Sequence, residues 1–185
     1  MIQHHKSIYM LNSPAMEKHS RHRLPHPYYV GPRNYFLTIC TGQRRKLFTD
    51  APLVQLLTSE LTRQFRSHAF TIFAYCFMPD HCHVLAAALT ETSDLAKAVR
   101  AFKGVSAAHA RSLGIRNLWQ RNYYDHILRS SESFHSVAAY IFENPVRAGL
   151  VHDPHDWPFS GSFVFDWKNL ALPVPPFTPN WKRPV

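Results

Sequence analysis

Residues 70–87 decide the fold, and they read FTIFAYCFM, then PD, then HCHVLAA. The run Phe70–Met78 is continuously apolar and has the length of one strand. Pro79-Asp80 after it is a turn signal. We predict that His81–Ala87 is the next strand and that the two strands pair as a β-hairpin. The segments on either side of this hairpin then decide the architecture.

The segment before the hairpin predicts one strand and one helix. Tyr35–Cys40 is rich in aromatic and β-branched residues, as strands are. Asp50 is a suitable N-cap, with Pro52 in the first helical turn. Apolar residues then recur at helical spacing, at Leu53, Leu57, Leu61 and Phe65.

The segment after the hairpin predicts a helix, a short strand and a second helix. Ser93 can cap the first helix, the strand is Tyr123–Leu128, and Ser131 can open the second helix. The apolar stripes of the two helices are Leu95, Val99, Phe102 and Val105, and Phe134, Val137, Ala138 and Ile141. The second helix runs to a break at Pro145, which lacks a backbone donor.

The predicted order is therefore strand, helix, strand, strand, helix, strand, helix. Its first six elements form the βαββαβ arrangement of ferredoxin-like folds, an α+β class with an antiparallel sheet and helices on one face. The seventh element is an added C-terminal helix. This fold carries many unrelated activities, so function has to be argued from particular side chains.

Both ends of the chain differ in composition from the core, residues 28–162. Residues 1–27 are rich in His, Lys and Arg and lack apolar periodicity. This composition predicts either a mobile basic arm that contacts the phosphates of a nucleic acid or a solvated leader without such a role. Residues 163–185 contain five prolines, which exclude a continuous helix and predict an extended tail.

Composition and charge narrow the class of protein. The 185 residues are 45% hydrophobic and 18% charged, as in a globular domain and unlike a disordered or collagen-like chain. Cys40, Cys76 and Cys82 form no CxxC pair, which argues against a disulfide framework and fits a reducing, cytoplasmic setting. We expect no membrane span and no secretion signal, because no apolar run is long enough. The net charge of +9 favours nucleic acid as the partner.

His81-Cys82-His83 is a candidate metal-binding pair. Side chains at i and i+2 of a strand leave the same face, with alpha carbons about 6.6 Å apart, so both imidazoles can reach one ion. Cys82 then points the other way and packs against the helices with Val84 and Ala86. In a chain with thirteen histidines, a surface pair without metal is the alternative.

Tyr140 and Asn144 lie one helical turn apart, at the edge of the predicted apolar stripe. A tyrosine there is half exposed and can meet a substrate, or else it is a boundary aromatic residue with a solvated hydroxyl. Pro145 predicts that the helix kinks or stops near Asn144. The Asn144 amide can then cap the helix locally or complete a metal site.

Two motifs in this order resemble those of the single-tyrosine HUH transposases of the IS200-like superfamily. The first is His81-Cys82-His83 after Met78-Pro79-Asp80, and the second is the run YIFENPVRAGLV at residues 140–151. The closest resemblance is to the REP-associated tyrosine transposases, which is also supported by Trp119-Gln120-Arg121, Tyr124-Asp125-His126 and Arg129. The resemblance covers residues 28–162.

The resemblance implies a metal-dependent DNA strand transferase that cleaves and rejoins single-stranded or hairpin DNA. Tyr140 matches the nucleophile, which forms a covalent phosphotyrosine. His81, His83 and Asn144 match the metal ligands, and the implied ion is Mg²⁺ or Mn²⁺. The chain departs from the family at Cys82, where a bulky aliphatic residue is usual, and at Asp80, where Asn is commoner. Asp80 is then a turn residue or a hydrogen-bond acceptor for a histidine.

The expected partner is single-stranded or hairpin DNA, bound by a monomer or a homodimer. Trp119, Tyr123 and Tyr124 can stack on bases, or else they belong to the core or its boundary. The cations predicted at the DNA backbone, each of which could instead be an ordinary solvated side chain, are Arg44, Arg45, Lys46, Lys103, Arg111, Arg121, Arg129 and Arg147. Two other functions stay open: a domesticated hairpin-binding protein without catalysis, and a zinc hydrolase that uses the same histidines.

Overall fold

The computed structural model describes residues 25–169, so residues 1–24 of the predicted arm and 170–185 of the predicted tail lie outside the described residues. The strands are β1 (Asn34–Cys40), β2 (Phe70–Met78), β3 (His81–Ala88), β4 (Tyr124–Ile127) and β5 (Ser160–Gly161). The α-helices are α1 (Ala51–Ser67), α2 (Leu95–Ser112), α3 (Phe134–Phe142) and α4 (Asn144–Arg147). Short 3-10 helices lie at His26–Tyr29, Gly42–Arg44, Pro154–Asp156 and Trp167–Asn169. None of these described helices is long and apolar enough to cross a membrane.

The five described strands form one antiparallel sheet in the order β4-β1-β3-β2-β5. Strand β3 lies between β1 and β2, and β1 lies between β3 and β4, which is the split βαβ topology of a ferredoxin-like fold. The predicted α+β class and element order are therefore confirmed. Strand β5 escapes sequence prediction, because two residues are too few to show a period.

Helices cover both faces of the sheet. On one face, α1 and α2 form a core with Cys82 and Val84 of β3. On the other face, α3 packs on Phe36 and Leu85. Because successive side chains of a strand alternate between faces, His83 lies on the α3 face, opposite Cys82. The predicted packing of Cys82 is confirmed, since its side chain is fully buried and burial raises the pKa of its thiol.

Two of the three predicted helix caps are displaced. Asp50 caps α1 as predicted, by accepting a bond from an N–H of the first turn. However, α2 is capped by Asp94 and not Ser93, and α3 is capped by Ser133 and not Ser131. Ser93 instead accepts a bond from the N–H of Thr90 and donates to the main-chain carbonyl of Ala69. Several residues able to cap lie side by side at both places, so composition alone does not decide which one does.

The helix that carries Tyr140 breaks near Asn144, as the proline predicts. Helix α3 ends at Phe142, and Glu143 separates it from α4. Pro145 lies in the first turn of α4, where no backbone donor is required. The break therefore leaves two short helices in sequence rather than one long one.

Phe165 and Trp167, which fall in the predicted tail, pack against the α3 layer. Trp167 is 6% exposed, and its ring stacks on Phe142 with the centroids 4.4 Å apart. His155 stacks on the Trp167 ring as well, at 5.2 Å. These contacts add aromatic packing to the C-terminal end of α3.

Candidate active site

Two histidine rings on β3 converge on one point of the α3 face. The Nε2 atoms of His81 and His83 are 3.1 Å apart. The Nδ1 atom of His81 lies 2.6 Å from Oδ1 of Asp80, and Nδ1 of His83 lies 2.9 Å from the Thr38 hydroxyl. Each ring is therefore held through its outer nitrogen, and the two inner nitrogens point at the same place.

The histidine pair suits a divalent metal ion. Two ligands at right angles around an octahedral ion, each about 2.1–2.2 Å from it, are separated by about 3 Å. The observed Nε2 separation of 3.1 Å has that size. A bond from Nδ1 to a carboxylate or a hydroxyl fixes the ring and leaves Nε2 as the donor atom, which is the usual arrangement of ligating histidines. The side chain of His81 is 17% exposed and His83 is 1% exposed, so solvent reaches the pair from the His81 side.

A third protein ligand has to be sought outside the His, Cys, Asp and Glu side chains. Within residues 25–169, no cluster of three such side chains could hold a metal ion. Asn144 donates from Nδ2 to the main-chain carbonyls of Tyr140, at 2.9 Å, and Ile141, at 3.3 Å. Asn144 therefore caps the end of α3, which is the first of its two predicted roles. Because the helix carbonyls take up the amide nitrogen, the amide oxygen is the atom of Asn144 that suits a metal ion.

Tyr140 lies beside the histidine pair. Its ring centroid is 6.4 Å from that of His83 and 6.1 Å from that of Phe36. The residue is only 7% exposed, so the prediction of a half-exposed tyrosine is wrong. The spacing of apolar residues along α3 gives no information about contacts from other elements. Phe36 from β1 and Arg147 from α4 cover the Tyr140 ring. Burial raises the pKa of the phenol above its ordinary value, and Arg147 partly opposes that rise.

Arg147 lies over the Tyr140 ring, with its guanidinium carbon 4.0 Å from the ring centroid. The same guanidinium donates to the main-chain carbonyl of Tyr140 and pairs with Glu143 at 3.3 Å. The sequence places Arg147 on the Tyr140 side only if the helix continues through Pro145. The helix breaks, but α4 keeps the side chain there. A cation over an aromatic face is attracted by the ring quadrupole, so Arg147 holds the orientation of the tyrosine.

Three other predicted cations bind groups of the protein. Arg44 pairs with Asp80 at 2.9 Å and so holds the carboxylate that orients His81. Arg45 donates to the main-chain carbonyls of residues 116 and 117, and Lys103 to those of residues 120 and 121. The remaining predicted cations besides Arg147 are exposed, and they are Lys46, Arg111, Arg121 and Arg129. The structure thus brings Arg44 and Arg147 to the site formed by His81, His83 and Tyr140.

Thr38 is the site residue that sequence reasoning misses. It lies directly opposite His83 in the ladder between β1 and β3, although the two residues are 45 positions apart in the chain. No motif marks it, because the residue that faces His83 depends on the register of strand pairing. That register becomes known only when the sheet is assembled.

Residues 30–144 match the family described as IS200-like transposase. The matched range is well over half of the chain, and it contains the histidine pair, Tyr140 and Asn144. The chain belongs to the IS200-like transposase family. The predicted recognition is confirmed, and a role in DNA transposition follows from the membership.

Individual relatives agree with this IS200-like transposase assignment. The REP-associated tyrosine transposase of Escherichia coli (strain K12) is 26% identical over 148 residues, which cover 76% of this chain and 87% of that protein. A putative REP-associated tyrosine transposase of Haemophilus influenzae is 30% identical over 156 residues, covering 75% of this chain and 84% of that one. A solved structure of a REP-associated tyrosine transposase bound to a REP hairpin has a TM-score of 0.62 and 25% identity. It covers 78% of this chain and 82% of that chain.

Proposed function

We propose that this transposase cleaves and rejoins single-stranded or hairpin DNA through a covalent phosphotyrosine on Tyr140. His81, His83 and the amide oxygen of Asn144 would hold the divalent ion, Mg²⁺ or Mn²⁺. The observation that carries the proposal is the convergence of the two histidine Nε2 atoms, 3.1 Å apart, on the sheet face that α3 covers with Tyr140.

The protein prepares the ligands before any ion binds. Asp80 and Thr38 hold the outer nitrogens of the two histidines, and Arg44 holds Asp80 in turn. Because the two histidine rings are already ordered, they lose little side-chain entropy when an ion binds. The affinity for the ion is therefore not reduced by a cost of ordering the rings. When bound, such an ion polarises a non-bridging phosphate oxygen and orients the scissile group.

Tyr140 supplies the nucleophile. Its phenolic oxygen forms a bond to phosphorus, and the bond from phosphorus to the leaving deoxyribose oxygen breaks. The phenol proton goes to solvent, and the leaving oxygen takes up a proton as a hydroxyl. The reverse reaction, with a DNA hydroxyl attacking the phosphotyrosine, rejoins a strand. The positive charge of Arg147 stabilises the phenolate that attacks, and this opposes the effect of burial on the phenol pKa.

The DNA partner is supported by charge and by similarity. The net charge of +9 suits a polyanion, and a similar solved structure holds a REP hairpin. We assign backbone contacts to the predicted cations, of which the exposed Lys46, Arg111, Arg121 and Arg129 have the most accessible charges. Arg45 and Lys103 act chiefly by holding the loop that precedes β4, whereas Arg44 and Arg147 act at the centre itself.

The direct test is a denaturing gel of the protein with labelled single-stranded hairpin DNA, in Mn²⁺ or Mg²⁺. We expect a slow, protease-sensitive labelled band that disappears with chelator and in Tyr140→Phe. Tyr124→Phe is the matched control, because Tyr124 contacts Phe36 on the same sheet face as Tyr140 and should keep the band.

Two outcomes would contradict the proposal, and each would support a different function. Binding without cleavage on any hairpin, with the band absent in the native chain, would indicate the non-catalytic hairpin-binding protein. Cleavage without a covalent band, faster in Zn²⁺ than in Mg²⁺ or Mn²⁺, would indicate the hydrolase.

A further inference from the structure

An open groove with a volume of 480 Å³ lies along α2, between that helix and the segment that precedes β4. We call it the α2 groove. The residues that line it and matter for the argument are Arg100, Lys103, Arg111, Trp119, Arg121 and Tyr123. It lies on the side of the sheet covered by α1 and α2, away from the face that holds His83 and Tyr140.

The charge of the α2 groove is entirely positive. Four of its lining residues are Arg or Lys, and none of the lining residues is Asp or Glu. Like charges gathered without counter-charges repel one another, and a bound anion relieves that repulsion. Arg100, Arg111 and Arg121 are exposed, whereas Lys103 also bonds the carbonyls of residues 120 and 121 and fixes the groove wall to α2.

The two aromatic rings in the wall are partly buried, and Trp119 is rigidly supported. Its indole N–H donates to the hydroxyl of Ser106 at 2.9 Å, and its ring packs on Phe48 and Phe102 with centroids 5.4 Å and 5.3 Å away. Tyr123 lies with its ring centroid 6.0 Å from Nζ of Lys103. Fixed rings beside arginines are the combination that binds single strands, through base stacking and phosphate contacts.

The groove wall is also connected to the histidine end of the sheet. The N–H of Gln120 donates to the carbonyl of Cys40 at 2.9 Å, and Trp119 forms a bridge with Thr41. Cys40 lies directly opposite His81 in the β1–β3 ladder. Groove residues 119 and 120 therefore lie at the end of the sheet that also holds the candidate metal site, and this continuity gives one DNA strand a path from one to the other.

We propose that the α2 groove binds a single-stranded stretch of the DNA substrate, with phosphates at the arginines and bases against Trp119 and Tyr123. The choice of DNA rests on the proposed function, but binding in the groove does not require cleavage. The stretch bound here is distinct from the nucleotides that react at Tyr140.

Gly104 offers a way to fill the groove without disturbing the fold. It lies in the interior of α2 and lines the groove, and a Cβ added to it would meet no atom within 4 Å. Glycine is a poor helix former, so a larger residue here favours the helix while occupying the groove. Gly104→Leu is therefore the blocking variant, and Gly104→Ala is its matched control.

The first experiment measures binding of a labelled thymidine oligonucleotide of about ten residues, by fluorescence anisotropy. We expect Gly104→Leu to bind it about tenfold more weakly than Gly104→Ala, since the loss of one stacked base has that size. Binding of a blunt DNA hairpin without single-stranded ends should change less than about twofold. Equal affinity of both variants for the oligonucleotide would overturn the proposal.

A second pair of variants locates the contact without depending on Gly104. The double substitution Arg100→Gln and Arg121→Gln should weaken oligonucleotide binding and reduce its salt dependence by about two phosphate contacts. The control is Arg66→Gln with Lys168→Gln, which removes the same charge from two exposed residues outside the groove. Equal losses in both pairs would mean that only net charge matters, and the groove proposal would fail.

The two proposals can fail separately. Loss of oligonucleotide binding in Gly104→Leu, with no covalent DNA product in the native chain, would keep the groove and reject the tyrosine mechanism. A covalent product at Tyr140 with unaltered oligonucleotide binding in both groove variants would do the reverse.

Discussion

The outer nitrogens of the two histidines have different partners, and this difference can be tested. Thr38 holds His83 through a hydroxyl, whereas Asp80 holds His81 through a carboxylate. Thr38→Val removes only the hydroxyl and keeps the volume, so we expect Mn²⁺ affinity to fall about 10–100-fold, as for other residues that orient a ligating histidine. Calorimetric titration with Mn²⁺ measures it, and Thr38→Ser should keep the affinity. Unchanged affinity in Thr38→Val would show that the hydroxyl does not orient a metal ligand.

The cation over Tyr140 should control how cleavage depends on pH. Burial raises the pKa of the Tyr140 phenol and Arg147 opposes that rise, so Arg147→Gln should raise the pKa further. A higher pKa leaves less phenolate at any given pH, so the cleavage rate should fall about tenfold near neutral pH and recover at higher pH. Single-turnover rates measured between about pH 7 and pH 10 test this. Arg147→Lys is the control and should keep most of the normal pH profile. A decrease in the cleavage rate of Arg147→Gln by the same factor at every pH would mean that Arg147 acts on structure alone.

Among the elements, the β2–β3 hairpin is predicted most accurately, and the first residues of the helices are predicted least accurately. Strand β2 has the predicted bounds, Phe70–Met78, because the Pro79-Asp80 turn ends a continuous apolar run. Helix α3 begins two residues later than expected, because Ser131 and Ser133 are equally able to cap and only the three-dimensional path decides between them. Strand pairing and ring burial depend on contacts between distant segments, so Thr38 and the coverage of Tyr140 lie beyond sequence reasoning.

The assignment of the α3 cap makes a prediction about stability. Ser133 accepts a bond from the N–H of Ser136, so Ser133→Ala should cost about 1 kcal/mol of unfolding free energy. For a chain of this size that corresponds to a decrease in Tm of about 2–4 °C. Ser131→Ala is the control and should leave Tm unchanged, as measured by circular dichroism melting. An equal decrease in the control would place the helix start at Ser131.

At the scale of the molecule, the candidate site is assembled from separate segments of the chain. Thr38 comes from β1, the histidines from β3, and Tyr140 and Asn144 from the two helices around the α3–α4 break. The candidate site residues can be recognised in two sequence motifs, and the resemblance to a known family predicts the role of each. Their mutual distances follow only from the antiparallel pairing of β1 with β3 and from the packing of α3 on the sheet.

The net charge of the whole chain should dominate affinity for DNA. With a charge of +9, binding releases counterions from the phosphates, so the logarithm of the association constant should decrease linearly with the logarithm of the salt concentration. We expect a slope steeper than about −3, which corresponds to several phosphate contacts. Anisotropy titrations of a DNA hairpin at increasing NaCl concentrations measure the slope. A slope near zero would exclude a binding mode based on phosphate contacts.

The most direct test of metal-dependent attack by Tyr140 is to locate the covalent bond itself. The reaction product of native protein, hairpin DNA and Mn²⁺ is digested with nuclease and protease and analysed by tandem mass spectrometry. We predict a nucleotide phosphate on the peptide that contains Tyr140, attached to that residue and absent when Mn²⁺ is chelated. A nucleotide on another side chain such as Tyr124, or cleaved DNA with no modified peptide, would contradict the assignment of Tyr140 as the nucleophile.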